Sequence, residues 1–292
     1  MAYQYSFLPQ QDEIVNVASV PLRSPFRYPG GKTWLVPRVR RWLASLPSKP
    51  EEFIEPFTGG GIVGLTVAFE DLANRVTLVE LDHQIAAVWK TILHGDGEWL
   101  ANRIVKFNFS SETVEAELAR TDLSSEEQAF QTILKNRVNR GGILAPGAGK
   151  VKHGENGKGL ASRWYPETLS NRIRKIIRIR DRFTFIEGDG IEVLKENLHR
   201  TDAVFFIDPP YTAGGKRAGS RLYTHCELDH NELFKVSSRL TGDFLMTYSN
   251  DKDVKSLAQK YHLAMKEIAM KNTHHAKMTE LLIGRNLDWD MG

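Results

Sequence analysis

Cysteine is almost absent, since a single residue of this type, Cys226, occurs in 292 residues. An internal disulfide is therefore excluded, and no Cys/His cluster has the spacing of a metal site. No apolar run approaches the roughly 18 residues that a membrane span requires, and the segment 1–20 lacks the basic start and apolar stretch of a signal peptide. These absences predict a metal-free protein of the reduced cytoplasm. Hydrophobic residues at 41% and charged residues at 26% are typical of a folded globular chain.

The net positive charge of the whole chain is small, but positive charge is concentrated in one segment. The formal net charge is +3, yet residues 133–182 hold 13 Lys and Arg against three acids. Such a block in a near-neutral protein is typical of a surface that binds an anionic polymer such as nucleic acid. A solvated helical face followed by a basic loop would give the same count. The candidate DNA-binding side chains are Arg137, Arg140, Lys150, Lys152, Arg163, Arg172, Arg174 and Lys175.

The pattern of apolar and polar residues divides the chain into a 1–20 leader and three zones. The zones 21–99 and 183–292 alternate short β-rich runs with helical stretches, which is typical of a mainly parallel sheet covered by helices. Residues 100–182 break this rhythm, with helical patterns around a glycine-rich loop at 141–159. We therefore predict an α/β catalytic domain made of the first and last zones, with a mostly helical, substrate-recognising insertion between them.

Seven strands are predicted from short runs of β-branched and aromatic residues. They are Phe53–Phe57, Val76–Glu80, Phe183–Ile186, Ala203–Ile207, Phe244–Tyr248, Leu263–Met270 and Glu280–Arg285. Because no strong helical pattern separates the last two, one of them should run antiparallel. The predicted helices are Ile62–Leu72, Gln84–Leu93, Glu112–Arg120, Glu126–Arg137, one with Leu169 and Ile173 on its apolar face, Gly190–Leu198, Asp229–Leu240 and Asp251–Tyr261.

The first chemical motif is a strand that ends in an acid and a glycine turn, residues 53–61 (Phe-Ile-Glu-Pro-Phe-Thr-Gly-Gly-Gly). Glycine permits positive φ and a close approach of the backbone to a ligand. Gly59, Gly61 and Gly64 also satisfy the pattern G-x-G-x-x-G, so a dinucleotide site stays open as an alternative. The proline directly after Glu55 favours instead a site that places a carboxylate beside an amino-acid ammonium group.

Two further acids follow predicted strands. Glu80 lies 19 residues past Gly61, the spacing at which an acid accepts both hydroxyl groups of a ribose. Asp189 follows the strand Phe183–Ile186 and is placed to receive an adenine amine. For both acids, and for the nearby Asp82, a helix cap or a surface position is the alternative interpretation.

The strongest motif is the tetrapeptide Asp208-Pro209-Pro210-Tyr211, directly after the apolar run 203–207. Its prolines fix the backbone direction and remove two N–H donors, which leaves carbonyl groups to line a site. Asp208 and a proline carbonyl are suited to accept both protons of an exocyclic amine, and Tyr211 offers a flat face for a stacked base. A proline-rich turn with a capping acid is the alternative.

A second glycine turn, residues 26–32 (Phe-Arg-Tyr-Pro-Gly-Gly-Lys), leads into a helix predicted to begin near Thr33. A lysine at a helix start is unfavourable for the helix dipole. Lys32 is therefore expected to have another role, such as contact with a carboxylate of the ligand. An exposed lysine in a tight turn is the alternative.

Together, these motifs resemble those of the Dam-type (alpha-class) DNA adenine-N6 methyltransferases, which use S-adenosylmethionine. The resemblance covers about residues 22–286, in the alpha order of glycine-lysine motif, cofactor loop, recognition insertion and DPPY tetrapeptide, and includes 247–250 and 279–283. It implies a Rossmann-like α/β methyltransferase sheet with helices on both faces. The implied cofactor-binding residues are Tyr28, Lys32, Glu55, Phe57, Gly59, Gly61, Glu80, Asp189 and Asp208. The implied catalytic residues, which hold the target adenine, are Asp208, Pro209, Pro210 and Tyr211.

The same resemblance implies methyl transfer from S-adenosylmethionine to the exocyclic amine of adenine in double-stranded DNA. The base would be flipped out of the duplex, and transfer would be direct, without a metal or a covalent enzyme intermediate. Tyr28 replaces a tryptophan that is common in the family, and Glu80 replaces an aspartate. The loop 141–159 does not resemble the recognition hairpin of enzymes that methylate GATC, so no target sequence is carried over.

Several alternatives stay open at this point. Cytosine-amine methylation is disfavoured, because relatives with that specificity usually carry Ser in place of Asp208. Methylation of RNA or of a protein amide is a further variant, although such enzymes more often carry Asn at that position. A nucleotide-dependent oxidoreductase and a catalytically silent DNA-binding module belong to other classes. We expect a monomer or weak dimer in a bacterial or phage-infected cytoplasm, and a cognate restriction nuclease as partner is left open.

Overall fold

A seven-stranded sheet forms the centre of the structure, a computed structural model that describes residues 20–27, 31–154, 157–210, 228–271 and 277–290. Its strands are β1 (Glu52–Glu55), β2 (Arg75–Glu80), β3 (Phe183–Glu187), β4 (Ala203–Ile207), β5 (Phe244–Ser249), β6 (Ala264–Lys271) and β7 (Lys277–Gly284). The order is β3-β2-β1-β4-β5-β7-β6, and β7 pairs antiparallel with both of its neighbours. All seven predicted strands are confirmed, with small shifts at their ends, and so is the single antiparallel strand among the last two.

Ten α-helices connect the strands within the described residues. They are α1 (Val36–Ser45), α2 (Ile62–Phe69), α3 (His83–Leu93), α4 (Gly97–Lys106), α5 (Ser111–Ala119), α6 (Ser125–Val138), α7 (Pro166–Ile177), α8 (Gly190–Glu196), α9 (His230–Arg239) and α10 (Lys252–Lys260). Most of them begin directly after an Asp or Ser whose side chain accepts a hydrogen bond from the first helical turn, as Asp96 does before α4. The sequence analysis missed α4 and placed the end of α2 too late.

The hydrophobic core lies on both faces of the sheet. All five residues of β4 are buried, as expected for a central parallel strand that is covered on both sides. Side chains of α1, α2 and α3 pack on one face, and those of α8, α9 and α10 on the other. The predicted fold class, a Rossmann-like α/β sheet with helices on both faces, is confirmed. No helix in the described parts of the chain combines the length and apolar character that a membrane crossing requires.

The predicted insertion, residues 100–182, shares the core of the sheet. Leu100, Ile133 and Ile173 belong to the same buried cluster as Phe53 of β1 and Leu78 of β2. The predicted boundary between residues 99 and 100 falls inside α4, which begins at Gly97. The helical segment that was predicted to begin at residue 100 therefore begins at the turn before α4. The apolar face predicted for α7 is confirmed by the buried side chains of this helix. The recognition role of the segment stays a prediction, and the leader lies outside the described residues except for Val20.

The segment 20–27 is held against α6 and α7 by long-range hydrogen bonds. Asn136 of α6 accepts from the backbone N–H of Arg27 at 2.9 Å and donates to its carbonyl at 2.8 Å. Arg137 donates to the carbonyl of Pro25, and Arg172 of α7 donates to that of Ser24. The chain that leads into the glycine-lysine motif is therefore positioned by the helical segment.

Candidate active site

A cavity of about 560 Å³ opens at the carboxyl ends of the parallel strands, where open α/β sheets bind ligands. Residues 55–63 after β1, 80–82 after β2, 188–190 after β3 and 208–210 after β4 line it. This volume is in the range of small-molecule and cofactor sites. The structure thus brings together the predicted residues of four separate strand ends.

Asp208 lies at this cavity with one carboxylate oxygen occupied by the protein. Thr247 Oγ1 donates to Asp208 Oδ1 at 2.8 Å, and Lys32 Nζ lies 3.0 Å from the same oxygen. No described residue donates a hydrogen bond to Oδ2. Pro209 and Pro210 line the cavity next to Asp208, whereas Tyr211 lies outside the described residues. Asp208 is therefore oriented through Oδ1, which leaves Oδ2 for a ligand.

Lys32 is buried between two carboxylates. Its side chain is 3% exposed, and Nζ lies 3.0 Å from Asp208 Oδ1 and 3.7 Å from Glu280 Oε2. The interpretation as an exposed lysine in a tight turn is therefore wrong. The expected contact with a ligand carboxylate stays a prediction, and the contacts that the structure provides are to the carboxylates of the protein itself.

The glycine turn after β1 encloses a buried carboxyl group. Glu55 Oε2 accepts a hydrogen bond from the backbone N–H of Gly64 at 2.9 Å. A Cβ atom at Gly64 would lie 2.5 Å from that oxygen, which explains the glycine. Burial raises the pKa of Glu55 well above its usual value, and the nearby carboxylates of Asp208 and Glu80 add to the rise. This buried acid is thus suited to a cationic ligand group.

Glu80 supports the same turn from β2. Its Oε2 accepts from the N–H of Gly59 at 2.8 Å and its Oε1 from the N–H of Asp82 at 2.9 Å. Burial raises the pKa of Glu80 to about 7, although these hydrogen bonds oppose the rise. Each carboxylate oxygen keeps a second lone pair, so both oxygens are still able to accept from the hydroxyl groups of a ribose. Gly61 has a φ of +61°, and a Cβ atom there would lie 2.8 Å from the ring of Trp89.

The remaining acids of the site also cap helices. Asp189 Oδ1 accepts from the N–H of Ile191 at 2.7 Å and thereby caps α8, while the residue lines the cavity. Asp82 caps α3 in the same way, as its alternative interpretation proposed. Phe57 lines the cavity as well. Tyr28, the remaining predicted cofactor residue, lies outside the described residues.

The predicted DNA-binding residues separate into two groups. Arg140, Lys150, Lys152 and Lys175 are exposed, and Arg174 is held by an ion pair with Glu98 at 3.0 Å. The other three line the cavity, and they are Arg137, Arg163 and Arg172.

Three residues of the site escaped the sequence analysis. Arg27 lines the cavity, and its position inside the glycine-lysine motif was the available signal. Thr247 and Glu280 contact Asp208 and Lys32 from β5 and β7. Both lie in segments that the resemblance included, but without an assigned role.

The comparison with protein families matches residues 28–140 to the model of the D12 class N6 adenine-specific DNA methyltransferases. The predicted resemblance is confirmed for this part of the chain, whose sequence is similar to that family. A search of curated proteins finds no match.

Solved structures with a similar fold include a protein from Escherichia coli described as a methyltransferase, with 11% identity, coverage of 89% of this chain and 90% of that chain, and a TM-score of 0.37. A protein from Pyrococcus horikoshii described as an RNA methyltransferase has 10% identity, coverage of 89% and 84%, and a TM-score of 0.38. Spermidine synthase from Thermotoga maritima has 10% identity, coverage of 95% and 61%, and a TM-score of 0.35. TM-scores this low contribute nothing to the assignment of a substrate.

Proposed function

We propose that this protein is an S-adenosylmethionine-dependent DNA methyltransferase that acts on the exocyclic amine of adenine. The observation that carries the proposal is the state of Asp208, whose Oδ1 is bound by Lys32 and Thr247 while Oδ2 has no donor among the described residues. An acceptor oriented in this way, followed by proline carbonyl groups at a cavity, matches the two N–H groups of a planar amine.

The donor set of the cavity fits the proposed cofactor. S-adenosylmethionine supplies a methyl group on a positively charged sulfur and also carries an ammonium group. Glu55 is suited to hold the ammonium group, Glu80 the ribose hydroxyl groups and Asp189 the adenine amine. The raised pKa of Glu55 supports this fit, because a buried acid favours a ligand that supplies a cation.

The chain's own groups then act on the amine. The lone pair of the amine is delocalised into the base. Asp208 Oδ2 and the Pro209 carbonyl would accept hydrogen bonds from the two N–H groups of the amine and thereby direct its lone pair toward the methyl group. The bound cofactor would supply the methyl group: the new N–C bond would form as the S–C bond breaks, the bonding electrons would stay on sulfur, and the methylated nitrogen would release one proton to the solvent. Lys32 and Thr247 hold Asp208 in orientation through Oδ1.

Access to a base requires that it leave the duplex, which costs a few kcal/mol of stacking and pairing. Leu22, Leu81 and Tyr165 line the cavity and are respectively 62%, 48% and 47% exposed. Exposed apolar side chains at the mouth provide surface against which an unstacked base packs. The exposed basic residues, Arg140, Lys150, Lys152 and Lys175, are proposed to contact the phosphates of double-stranded DNA, with the protein acting as a monomer or weak dimer.

Cofactor affinity is expected to fall as the pH drops below about 7, by up to about tenfold per unit. The reason is that Glu80 must be ionised to accept from both ribose hydroxyl groups, and its protonated form offers fewer acceptors. Titration calorimetry with S-adenosylhomocysteine from about pH 8 to about pH 6 checks the trend. Glu80→Gln should bind weakly throughout and show a shallower dependence on pH, since its titrating carboxyl group is gone. Affinity independent of pH in the wild-type protein contradicts the assignment.

The proposed function is tested by expressing the chain in a bacterium without DNA methylation and sequencing its DNA by a long-read method that detects N6-methyladenine. Methylated adenines in one short sequence context are expected, and Asp208→Ala serves as the matched inactive control. Unmodified DNA from a soluble protein would overturn the DNA assignment. An assay on RNA would then separate an RNA methyltransferase from a silent binding module.

A further inference from the structure

The cavity has a strongly basic part in addition to its carboxylates. Arg27, Arg137, Arg163 and Arg172 all line it, and we call these four residues the arginine cluster. They come from three different parts of the chain, the glycine-lysine motif, α6 and the region of α7, so tertiary packing brings them together. The proposed cofactor is cationic at its sulfur and ammonium groups, and four arginines are far more positive charge than its single carboxylate needs.

Arg137 is the buried centre of this cluster. Its side chain is 5% exposed, and its Nε has no hydrogen-bond partner in the described parts of the chain. Burial and, to a smaller extent, the neighbouring Arg172, Arg27 and Arg163 together lower the pKa of Arg137 to about 9. Among the described residues, no carboxylate is one of the groups that shift the pKa of Arg137 or Arg172. A buried guanidinium surrounded by like charge is costly unless an anion compensates it.

The cluster is also fixed in place. Arg137 donates to the carbonyl of Pro25, and Arg172 Nη1 donates to that of Ser24 at 3.1 Å. Ser24 Oγ in turn donates to the carbonyl of Gly60 in the glycine turn at 2.5 Å. Arg137 and Arg172 are therefore coupled to the wall of the cavity and need little reorganisation to receive an anion.

We propose that the arginine cluster is a subsite for one backbone phosphate of the substrate strand, next to the flipped adenine. This inference rests on the proposed function. Guanidinium groups bind phosphate through paired N–H donors, and the negative charge of a phosphodiester would compensate the buried positive charge of the cluster. A phosphate held beside the cavity of Asp208 would fix the extruded nucleotide after its base has entered.

The test compares Arg172→Gln with Arg178→Gln, which removes the same charge just past the end of the same helix, outside the cavity. Arg172 is chosen because Arg137→Gln risks misfolding. A duplex that contains the methylated site is synthesised with a neutral methylphosphonate at each phosphate near the target adenine in turn. For the wild-type protein and for Arg178→Gln, the methylphosphonate at one position should weaken binding by about tenfold. Arg172→Gln should bind the unmodified duplex about tenfold more weakly than the wild-type protein, and the slope of its log affinity against log salt concentration should be smaller by about 1.

The decisive result is that Arg172→Gln no longer responds to the methylphosphonate at that one position, because its partner is already missing. A merely structural role of Arg172 would weaken binding without removing this response. Equal sensitivity at all phosphates, or a loss confined to S-adenosylhomocysteine affinity, would overturn the inference and assign the cluster to general DNA contact or to the cofactor carboxylate. Absence of methyl transfer by the wild-type protein is a separate failure, that of the proposed function.

Discussion

Asp208→Ala is expected to lower the rate of methyl transfer by about a thousandfold while leaving the affinity for S-adenosylhomocysteine nearly unchanged. The side chain provides the acceptor that directs the amine, and the acids proposed to bind the cofactor, Glu55 and Glu80, stay in place. Lys32 keeps Glu280 Oε2 at 3.7 Å as a counterion, so its buried charge is not left alone. Single-turnover transfer to a duplex that contains the methylated site, together with calorimetry, measures both quantities.

Two further variants separate the orientation of the Asp208 side chain from its role as hydrogen-bond acceptor for the amine. Asp208→Asn keeps an acceptor oxygen but loses the charge, and it should retain more activity than Asp208→Ala. Thr247→Val removes the hydroxyl that donates to Oδ1 at 2.8 Å and should cost about tenfold. Wild-type rates in Asp208→Ala would show that another group receives the amine, and a large loss of cofactor affinity would place Asp208 chiefly in the cofactor site.

The strands are the part of the fold that the sequence predicts best. Runs such as Ala203–Ile207 are buried on both faces, and this leaves a continuous apolar signal that no surface helix has. Helix α4 escaped because two of its four buried residues, Gly97 and Ala101, are small and add little to an apolar pattern. The predicted boundary at residue 100 falls inside this helix, since a change of pattern does not show that two segments share a core.

The candidate site was predictable where function imposes unusual local sequence. The acids and glycines after β1 and β2 and the prolines after β4 fall at the cavity as expected. Charge counts, in contrast, carry no information about burial. Arg137 and Lys175 each contribute one positive charge to the net charge, yet Arg137 is buried at the cavity and Lys175 is exposed. Only contacts across more than a hundred residues, such as Arg137 with Pro25, determine the difference.

Lys32→Met is expected to lower methyl transfer by about a hundredfold. Methionine keeps the length of the buried stem but removes the cation that lies 3.0 Å from Asp208 Oδ1 and 3.7 Å from Glu280 Oε2. Without that cation the two carboxylates face each other uncompensated, and Asp208 loses one of the two groups that orient its Oδ1.

The single-turnover rate of a double variant distinguishes this role from direct contact with the cofactor. If Lys32 acts on Asp208 and Glu280, the double variant Lys32→Met/Glu280→Gln recovers activity because one of the two like charges is gone. If Lys32 instead binds the ligand carboxylate, Lys32→Met weakens S-adenosylhomocysteine binding, and the Glu280 substitution brings no recovery. Thermal unfolding of each variant controls for loss of the fold, and the recovery in the double variant is an outcome that simple destabilisation does not produce.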